Sequence, residues 1–526
     1  MVSFSCLWKR SGARRPLIAA DSSRREGEKP VAAALGRWTI ARRGTLLGVT
    51  PKPGDILELT IDSLAYGGQG VARHEGFVLF VRGAVPGDRV RARVVKRKRA
   101  HGEARVEELL APSELRVPAT CAHAEDCGGC EWQTVDYQAQ LDYKQRQVTE
   151  SLAHIGGLTD FQLEPIRGMA FPWRYRNKME FSFGSDGQRS VLGLHRRGSW
   201  REIIDLQDCW LASERLNGAR QAVGDACRAL SLEPYSQASH EGLLRHLVVR
   251  EGKASGDLLL NLYVSERFAA ERELAQRVAQ AAPFTSFAVT VNRSLADAAV
   301  GEGPFMIAGP PYLREELAGL PLRVPATAFL QTNSEMCGVL YQTAMRFAEP
   351  RPAQDAYDLY CGIGSISLLL AGQTRHVLGI EVQPEAVQAA SENARLNEIG
   401  NVTFLAGDVR RLLKEKLAEL STPETGPSGV GASGVGASEP GSTTPGHTPP
   451  GVVVVDPPRS GVAPKALART AQLGAERLVY VSCNPTTLAA NGAQLAEAGY
   501  RLVRVAPVDM FPQTHHIEAV ARFERQ

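Results

Sequence analysis

In Leu478-Val479-Tyr480-Val481-Ser482-Cys483-Asn484-Pro485, an apolar, β-branched run stops at a thiol and an Asn-Pro turn. Such a run reads as a buried strand, and open α/β sheets bind ligands at the carboxyl ends of their strands. Cys483 there is a candidate nucleophile; the competing assignment is a cysteine packed as a small apolar group. Val452-Val453-Val454-Val455 likewise runs into Asp456-Pro457-Pro458-Arg459. Two prolines fix that turn, aim the acid into a cleft and argue against a helix-cap role. If sequential strands pair, Asp456 and Cys483 stand on neighbouring strand ends. Glu518 opens the closing strand after His515-His516-Ile517. It is either solvent-facing or, beside Cys483, a general base.

A second group of residues reads as a nucleoside site. Ala356-Tyr357-Asp358-Leu359-Tyr360 is strand-like, Cys361-Gly362-Ile363-Gly364-Ser365 is a turn, and Ile366 to Ala371 an apolar helix. In a strand, Gly-x-Gly turn and helix, the glycines let backbone approach a ligand. A second strand, from His376, ends in Glu381, where a carboxylate can hold two ribose hydroxyls; a third, Val402 to Leu405, ends near Asp408, which could face an adenine amine. The missing third phosphate-binding glycine favours S-adenosylmethionine over a dinucleotide, because the former has no pyrophosphate to cradle.

Cys121-x5-Cys127-Gly128-Gly129-Cys130 sets three thiols and two glycines within ten residues. Clustered thiolates select zinc or an iron–sulfur cluster, and spacing alone leaves that choice open. The fourth ligand would be Cys209, ahead of Cys227, whose surroundings read as helix. The spacing is not the C-x3-C-x2-C pattern expected of radical S-adenosylmethionine enzymes.

The elements around these residues divide the chain. Its 526 residues leave room for roughly three domains, and 44% hydrophobic with 22% charged residues is an ordinary soluble composition. Nine cysteines, odd in number and scattered outside one cluster, are not a secreted disulfide framework. No apolar run reaches the ~18 residues of a membrane span, and no signal-peptide core with a cleavage site opens the chain; a cytoplasmic location is expected. Residues 1–50 hold 10 of the 60 Lys and Arg but 3 of the 57 Asp and Glu, and read as a disordered basic tail. Ile56–Ile61, Phe77–Val81 and Val90–Lys96 are short strands with Gly turns, including Tyr66-Gly67-Gly68-Gln69-Gly70, as in a small barrel. From Arg89 to Arg105 run eight Lys or Arg and one acid, either a solvated face or a nucleic-acid surface. Residues 165–320 alternate strand-like and helix-like segments, and Phe171 to Lys178 interleaves aromatics with cations, either for stacking on unpaired bases with phosphate contact or as an amphipathic edge strand with snorkelling arginines. Residues 421–451, rich in Gly, Ser, Pro and Thr with a tandem Ser-Gly-Val-Gly-Ala, read as a disordered insertion.

Together these residues resemble the RNA uracil-5-methyltransferase family over roughly residues 51–526. The motifs are Phe329-Leu330-Gln331-Thr332-Asn333, Asp358 to Gly364, Asp456-Pro457-Pro458-Arg459, Ser482-Cys483-Asn484-Pro485 and His516-Ile517-Glu518. The resemblance implies an α/β fold: a Rossmann-like S-adenosylmethionine methyltransferase domain at 321–526, preceded by an OB-like TRAM barrel at 51–110 and a central α/β domain with a metal-cluster loop at 111–320. It implies a [4Fe–4S] cluster on Cys121, Cys127, Cys130 and Cys209, as in the ribosomal RNA branch, with zinc the less favoured occupant. It implies cofactor contacts at Gln331, Tyr360, Ser365, Glu381, Asp408 and Asp456, with Ser365 where some members carry Asn. Cys483 becomes the nucleophile and Glu518 the general base of uridine C5 methylation, on ribosomal RNA ahead of transfer RNA, by a monomeric protein. RNA cytosine-5 methyltransferases carry a Pro-Cys motif where this chain has Asp456-Pro457-Pro458, which argues against that activity; the remaining alternative is a non-catalytic RNA-binding or assembly factor that keeps the fold, against which the intact Cys483 and Glu518 speak.

Overall fold

The computed structural model describes residues 50–421 and 449–526. The expected basic tail and the repeat-bearing insertion lie outside the described residues, apart from their edges. The described residues form three large sheets and a hairpin, and among them no helix is long and apolar enough to cross a membrane.

The first sheet has six short strands in the order Ile56–Thr60, Arg89–Arg97, His101–Ala111, Phe77–Arg82, Gly70–His74 and Ser63–Leu64. Alternate residues, among them Leu59, Leu79, Val81, Val90, Ala92 and Val94, turn inward to one core. The basic run is partly neutralised by its antiparallel neighbour: Arg91 pairs with Glu108, Arg93 with Glu107 and Lys98 with Glu103. Arg89, Lys96, Arg97, Arg99 and Arg105 remain exposed and without an ion pair among the described residues.

The central sheet runs Ile203–Asp205, Ser190–His195, Lys178–Ser185, Leu244–Glu251, Leu258–Val264, Ser286–Val291 and Glu302–Ala308. Met179, Phe181, Leu247, Val249, Leu260, Leu262, Phe287 and Val289 fill one face, under helices Glu214–Ala229 and Glu271–Ala281.

The last sheet is ordered Val402–Ala406, His376–Glu381, Asp355–Leu359, Val452–Val455, Arg477–Ser482, Glu518–Arg525, Tyr500–Val508 and Gln162–Leu163. Its first five strands are parallel, and Glu518–Arg525 runs antiparallel to Arg477–Ser482. Val452–Val455 is wholly buried, as a central parallel strand covered on both faces must be. The chain reverses its direction of strand addition at Asp355–Leu359, which makes that strand's carboxyl end the crevice of the sheet. Gln162–Leu163 joins this last sheet beside Tyr500–Val508, and helix Tyr137–His154 packs on helix Pro485–Glu497.

Candidate active site

Cys483 follows the last residue of the Arg477–Ser482 strand, and Asn484 caps helix Pro485–Glu497 through Thr486 N–H. Strand end, Asn cap and first-turn proline therefore hold the thiol in a fixed turn. Antiparallel register pairs Ser482 with Ala519, so Glu518 lies across from Cys483. Parallel register pairs Val455 with Tyr480, so Asp456 stands on the adjoining strand end, as expected.

Burial dominates the electrostatics. The half-buried Cys483 thiol is pushed up to about 12, first by burial and then by the Glu518 charge, with Arg459 opposing. Glu518 is buried, its carboxyl is raised well above the ordinary carboxylate range by burial and Asp456, and its Oε2 has no hydrogen-bond partner among the described residues. Burial and neighbouring Asp358 push Asp456 up to about 7. Burial does the same to Asp358, against a 2.6 Å hydrogen bond donated by Ser367 Oγ. Asp456 caps no helix: helix Pro464–Gln472 begins beyond it with Ala463 at the cap.

The nucleoside side is held by the 360–365 turn. Tyr360 has a left-handed φ of 67°, a conformation costly for a side-chain-bearing residue and concentrated at functional sites. Gly362 has φ 54°, and a Cβ there would meet nothing within 4 Å, so the turn leaves an open face for a ligand. Gly362 N–H donates to Glu381 Oε2 at 3.2 Å, tying the second strand end to the turn. The Tyr360 hydroxyl is pushed up to about 12 by burial, then Asp408 and Glu381, which places the three together. Ser365 begins helix Ser365–Ala371 and is buried beside the Tyr341 hydroxyl. Gln331 is buried just ahead of helix Ser334–Ala348, its carbonyl accepting from Asn177 Nδ2 at 2.9 Å. Asp408 is exposed, and its Oδ1 accepts from Arg411 N–H at the start of helix Val409–Ser421. That carboxylate caps the helix and lies 3.5 Å from Arg410 Nε.

Three residues here were not assigned roles from sequence. Arg459 is the cation facing Cys483 and Glu518, and it contacts His516 at 3.1 Å. His516 is pushed down to about 2 by burial, His515 and Arg459. Tyr66 comes from the first sheet, and its hydroxyl feels Cys483, Arg459 and Glu518. Its turn is anchored by Gln147 Nε2 donating to Ala65 O at 3.3 Å, and Gly68 lies against His515 and Trp132. Arg459 and His516 stood inside the motifs that carry the resemblance, and Tyr66 only inside a glycine-rich turn.

The Phe171–Lys178 stretch is not the open stacking surface expected. Phe171 is exposed, but Tyr175 is buried. The Arg174 guanidinium is bidentate on Asp208 and lies over the Trp210 ring.

Cys121, Cys127, Cys130 and Cys209 are free, buried and border one cavity. Cys227, the second choice, does not line it. Burial pushes Cys127 up to about 11 and raises Cys130 and Cys209, with neighbouring thiols adding to each. Arg176 supplies an opposing positive charge at Cys130 and Cys209. Among the described residues no group of three or more His, Cys, Asp or Glu is placed to hold a metal ion. The four thiols border one small shared space.

Residues 315–420 and 449–526 match the family described as tRNA (Uracil-5-)-methyltransferase, and residues 52–106 match the TRAM domain. The chain is 37% identical to the uncharacterized RNA methyltransferase BH0687 of Halalkalibacterium halodurans, over 89% of this chain and 97% of that protein. It is also 37% identical to the uncharacterized RNA methyltransferase CT0009 of Chlorobaculum tepidum, over 90% and 97%. Among solved structures, the Pyrococcus abyssi tRNA (uracil-54, C5)-methyltransferase in complex with S-adenosyl-L-homocysteine shares the fold. Its TM-score is 0.67 at 24% identity, covering 89% of this chain and 99% of that one.

Proposed function

This chain belongs to the RNA uracil-5-methyltransferase family, and from that premise we propose that it methylates uridine C5 in ribosomal RNA through Cys483 and Glu518. The observation that carries the reading is the meeting of a half-buried thiol and an unpartnered buried carboxylate across one strand pair.

Uracil C5 is a poor nucleophile. Bonding of Cys483 Sγ to C6 moves electron density onto C5, which can then take a methyl group. Glu518 removes the C5 proton, the S–C6 bond breaks, and the C5–C6 double bond re-forms. Burial makes Glu518 a stronger base than a free carboxylate. S-Adenosylmethionine, when bound, supplies the electrophilic methyl group. We assign Gln331, Tyr360, Ser365, Glu381, Asp408 and Asp456 to hold it, at the open turn and strand ends described above. A uridine reaches this cleft only when unpaired or flipped out of its stack.

We assign Cys121, Cys127, Cys130 and Cys209 to a structural [4Fe–4S] cluster, which would tie the 121–130 loop to Cys209, with zinc the less favoured occupant. The shared cavity supports this, and so does the resemblance to the ribosomal RNA branch, from which the choice of ribosomal RNA also follows.

Transfer RNA is the second reading, favoured by the fold shared with a transfer RNA enzyme. Labelled methyl transfer to unmodified ribosomal and transfer RNA, with the product nucleotide located by mass, separates the two. Five-methyluridine in ribosomal RNA supports the proposal, and its appearance in transfer RNA alone moves the substrate. Transfer to neither, by protein that binds S-adenosylmethionine, overturns it.

A further inference from the structure

The central sheet has a second face, and it is polar. Strand register sets Lys178, Glu180 and Ser182 beside Arg250, Val248 and His246, with Asn261 and Tyr263 on the next strand. Lys178 and Arg250 are direct cross-strand partners. Like charges so placed destabilise a sheet unless something of opposite sign comes between them. Arg250 is 4% exposed, and its Nε is buried without a hydrogen-bond partner. Its Nη2 donates to Ala328 O, a neutral group. Neither cation is ion-paired with a described carboxylate, although the Glu180 charge does reach Lys178. A buried guanidinium cannot shed its proton, and the Glu180 charge also reaches Arg250, so among the described residues two cations share one carboxylate and a further anion would be stabilised between them.

The space for one is present. Lys178, Arg250, Tyr263 and Val248 line a cavity of about 200 Å3 with Ala326 and Thr327. The Tyr263 hydroxyl accepts from Asn261 Nδ2 at 3.2 Å and stands beside the Thr290 hydroxyl, at the polar end of the cavity. The cavity is joined through the chain to the segment that carries Gln331. Ala326 and Thr327 lead directly into Phe329, Leu330 and Gln331, and Asn177, next to Lys178, holds the Gln331 carbonyl.

We propose that this cavity binds a backbone phosphate of the substrate RNA, with Lys178 and Arg250 as its cationic walls and Tyr263 as a neutral donor. This rests on the RNA-methylating reading above. Two cations and a hydroxyl on one concave wall match the oxygens of a phosphodiester. A phosphate held here would fix the RNA beside the 326–331 segment while the target base enters the cleft. Burial and Arg250 push the Lys178 ammonium down to about 8, the direction an arriving anion would reverse.

The test is equilibrium binding of unmodified ribosomal RNA to wild type, Lys178→Met and Lys178→Arg at several salt concentrations. Lys178→Met should weaken binding about tenfold and lower the slope of log K against log salt by about 0.7–0.9, the loss of one phosphate contact. Lys178→Arg should restore both. S-Adenosylmethionine affinity should be unchanged, and Lys178→Met should melt no lower than wild type, since it relieves the cross-strand repulsion with Arg250. Equal RNA affinity and slope in wild type and Lys178→Met would overturn the proposal. So would inorganic phosphate that raises the wild-type melting temperature but not that of Lys178→Met while RNA affinity stays equal; the pocket would then serve a free anion. A wild type that methylates no RNA would overturn the function proposed above. The slope comparison would still decide the pocket, because it reads binding alone.

Discussion

Cys483 and Glu518 face each other from the ends of two antiparallel neighbours, one step beyond the Ser482–Ala519 pair. The thiol is half-buried and the carboxylate buried. The pairing separates two variants by what they accumulate. Cys483→Ala should fold normally and transfer no methyl group to RNA. Glu518→Gln should still bond to the substrate but fail to release it, slowing turnover by about 10²–10⁴. Denaturing gels should then show protein joined to RNA for Glu518→Gln and none for Cys483→Ala. Full turnover by Cys483→Ala would rule out the nucleophile assignment.

Cys483 carries a pH prediction. Its thiol is pushed up to about 12 by burial and the Glu518 charge, and Arg459 is the neighbouring cation that opposes them. The thiolate is the reactive form, so the single-turnover rate should rise with pH from 6 to 9, nearly tenfold per unit, while the thiol stays mostly protonated. Arg459→Ala raises the thiol pKa further, so it should be slower at every pH in that range. A wild-type rate flat across the range would show that deprotonation of this thiol does not limit the chemistry.

Asp358 and Asp456 make the unliganded protein sensitive to pH in the opposite sense from most carboxylates. Both are pushed up to about 7, above the ordinary value near ~3.9 for an unfolded chain. A raised carboxyl pKa gives stability that is present below the unfolded value and lost as pH rises through the folded one. The melting temperature should therefore fall as pH rises from about 4 to about 7. Asp358→Asn should flatten that decline, because the two acids titrate as a pair. A melting temperature that climbs over this window would contradict the buried, neutral state of these acids.

What could be read ahead of the structure depended on whether the deciding partner was near in sequence. Val452–Val455 ahead of Asp456, and the run ahead of Cys483, declare buried parallel strands by their apolar side chains alone, and the sheet order then makes them neighbours. Asp408 was read as an adenine contact, yet its Oδ1 caps a helix. A short acid after a strand is compatible with both roles. Arg174 was read as part of a base-stacking surface. Its partners Asp208 and Trp210 come from another segment, and nothing in the Phe171–Lys178 stretch announces them. Tyr66 was read only as part of a turn, because its approach to Cys483 joins opposite ends of the chain.

The four-cysteine cavity separates structure from chemistry. If Cys121, Cys127, Cys130 and Cys209 hold an iron–sulfur cluster, anaerobically purified protein should absorb near ~400 nm, a band zinc would not give. Cys209→Ala should lose that band and lower the melting temperature. S-Adenosylmethionine binding should survive, since the 360–365 turn lies on a different sheet from this cavity. Cys227→Ala should keep the band, because Cys227 does not line the cavity. A colourless protein containing stoichiometric zinc would replace the cluster with the rival metal.

The segment leading to Glu518, the proposed general base, is tied down by a buried ion pair. Lys144 Nζ donates to Asp509 Oδ1 at 2.6 Å and to Phe511 O at 3.1 Å, with both charged side chains fully enclosed. Tyr137 donates to the other Asp509 oxygen at 2.9 Å, and Gln140 and Gln513 exchange two bonds nearby. Helix Tyr137–His154 thus holds the segment that delivers His515, His516 and Glu518 to the cleft. Removing one partner leaves the other charge buried and alone, so Lys144→Met should cost about 3–5 kcal/mol in denaturant unfolding. Pairing it with Asp509→Leu should recover most of that loss, because an apolar pair of similar volume avoids desolvating two charges. If the pair also orients the 509–518 segment, the double variant should regain stability without regaining the full rate of methyl transfer. Recovery of both would make the ion pair purely structural, and a Lys144→Met cost below about 1 kcal/mol, the range of an exposed pair, would contradict its enclosure.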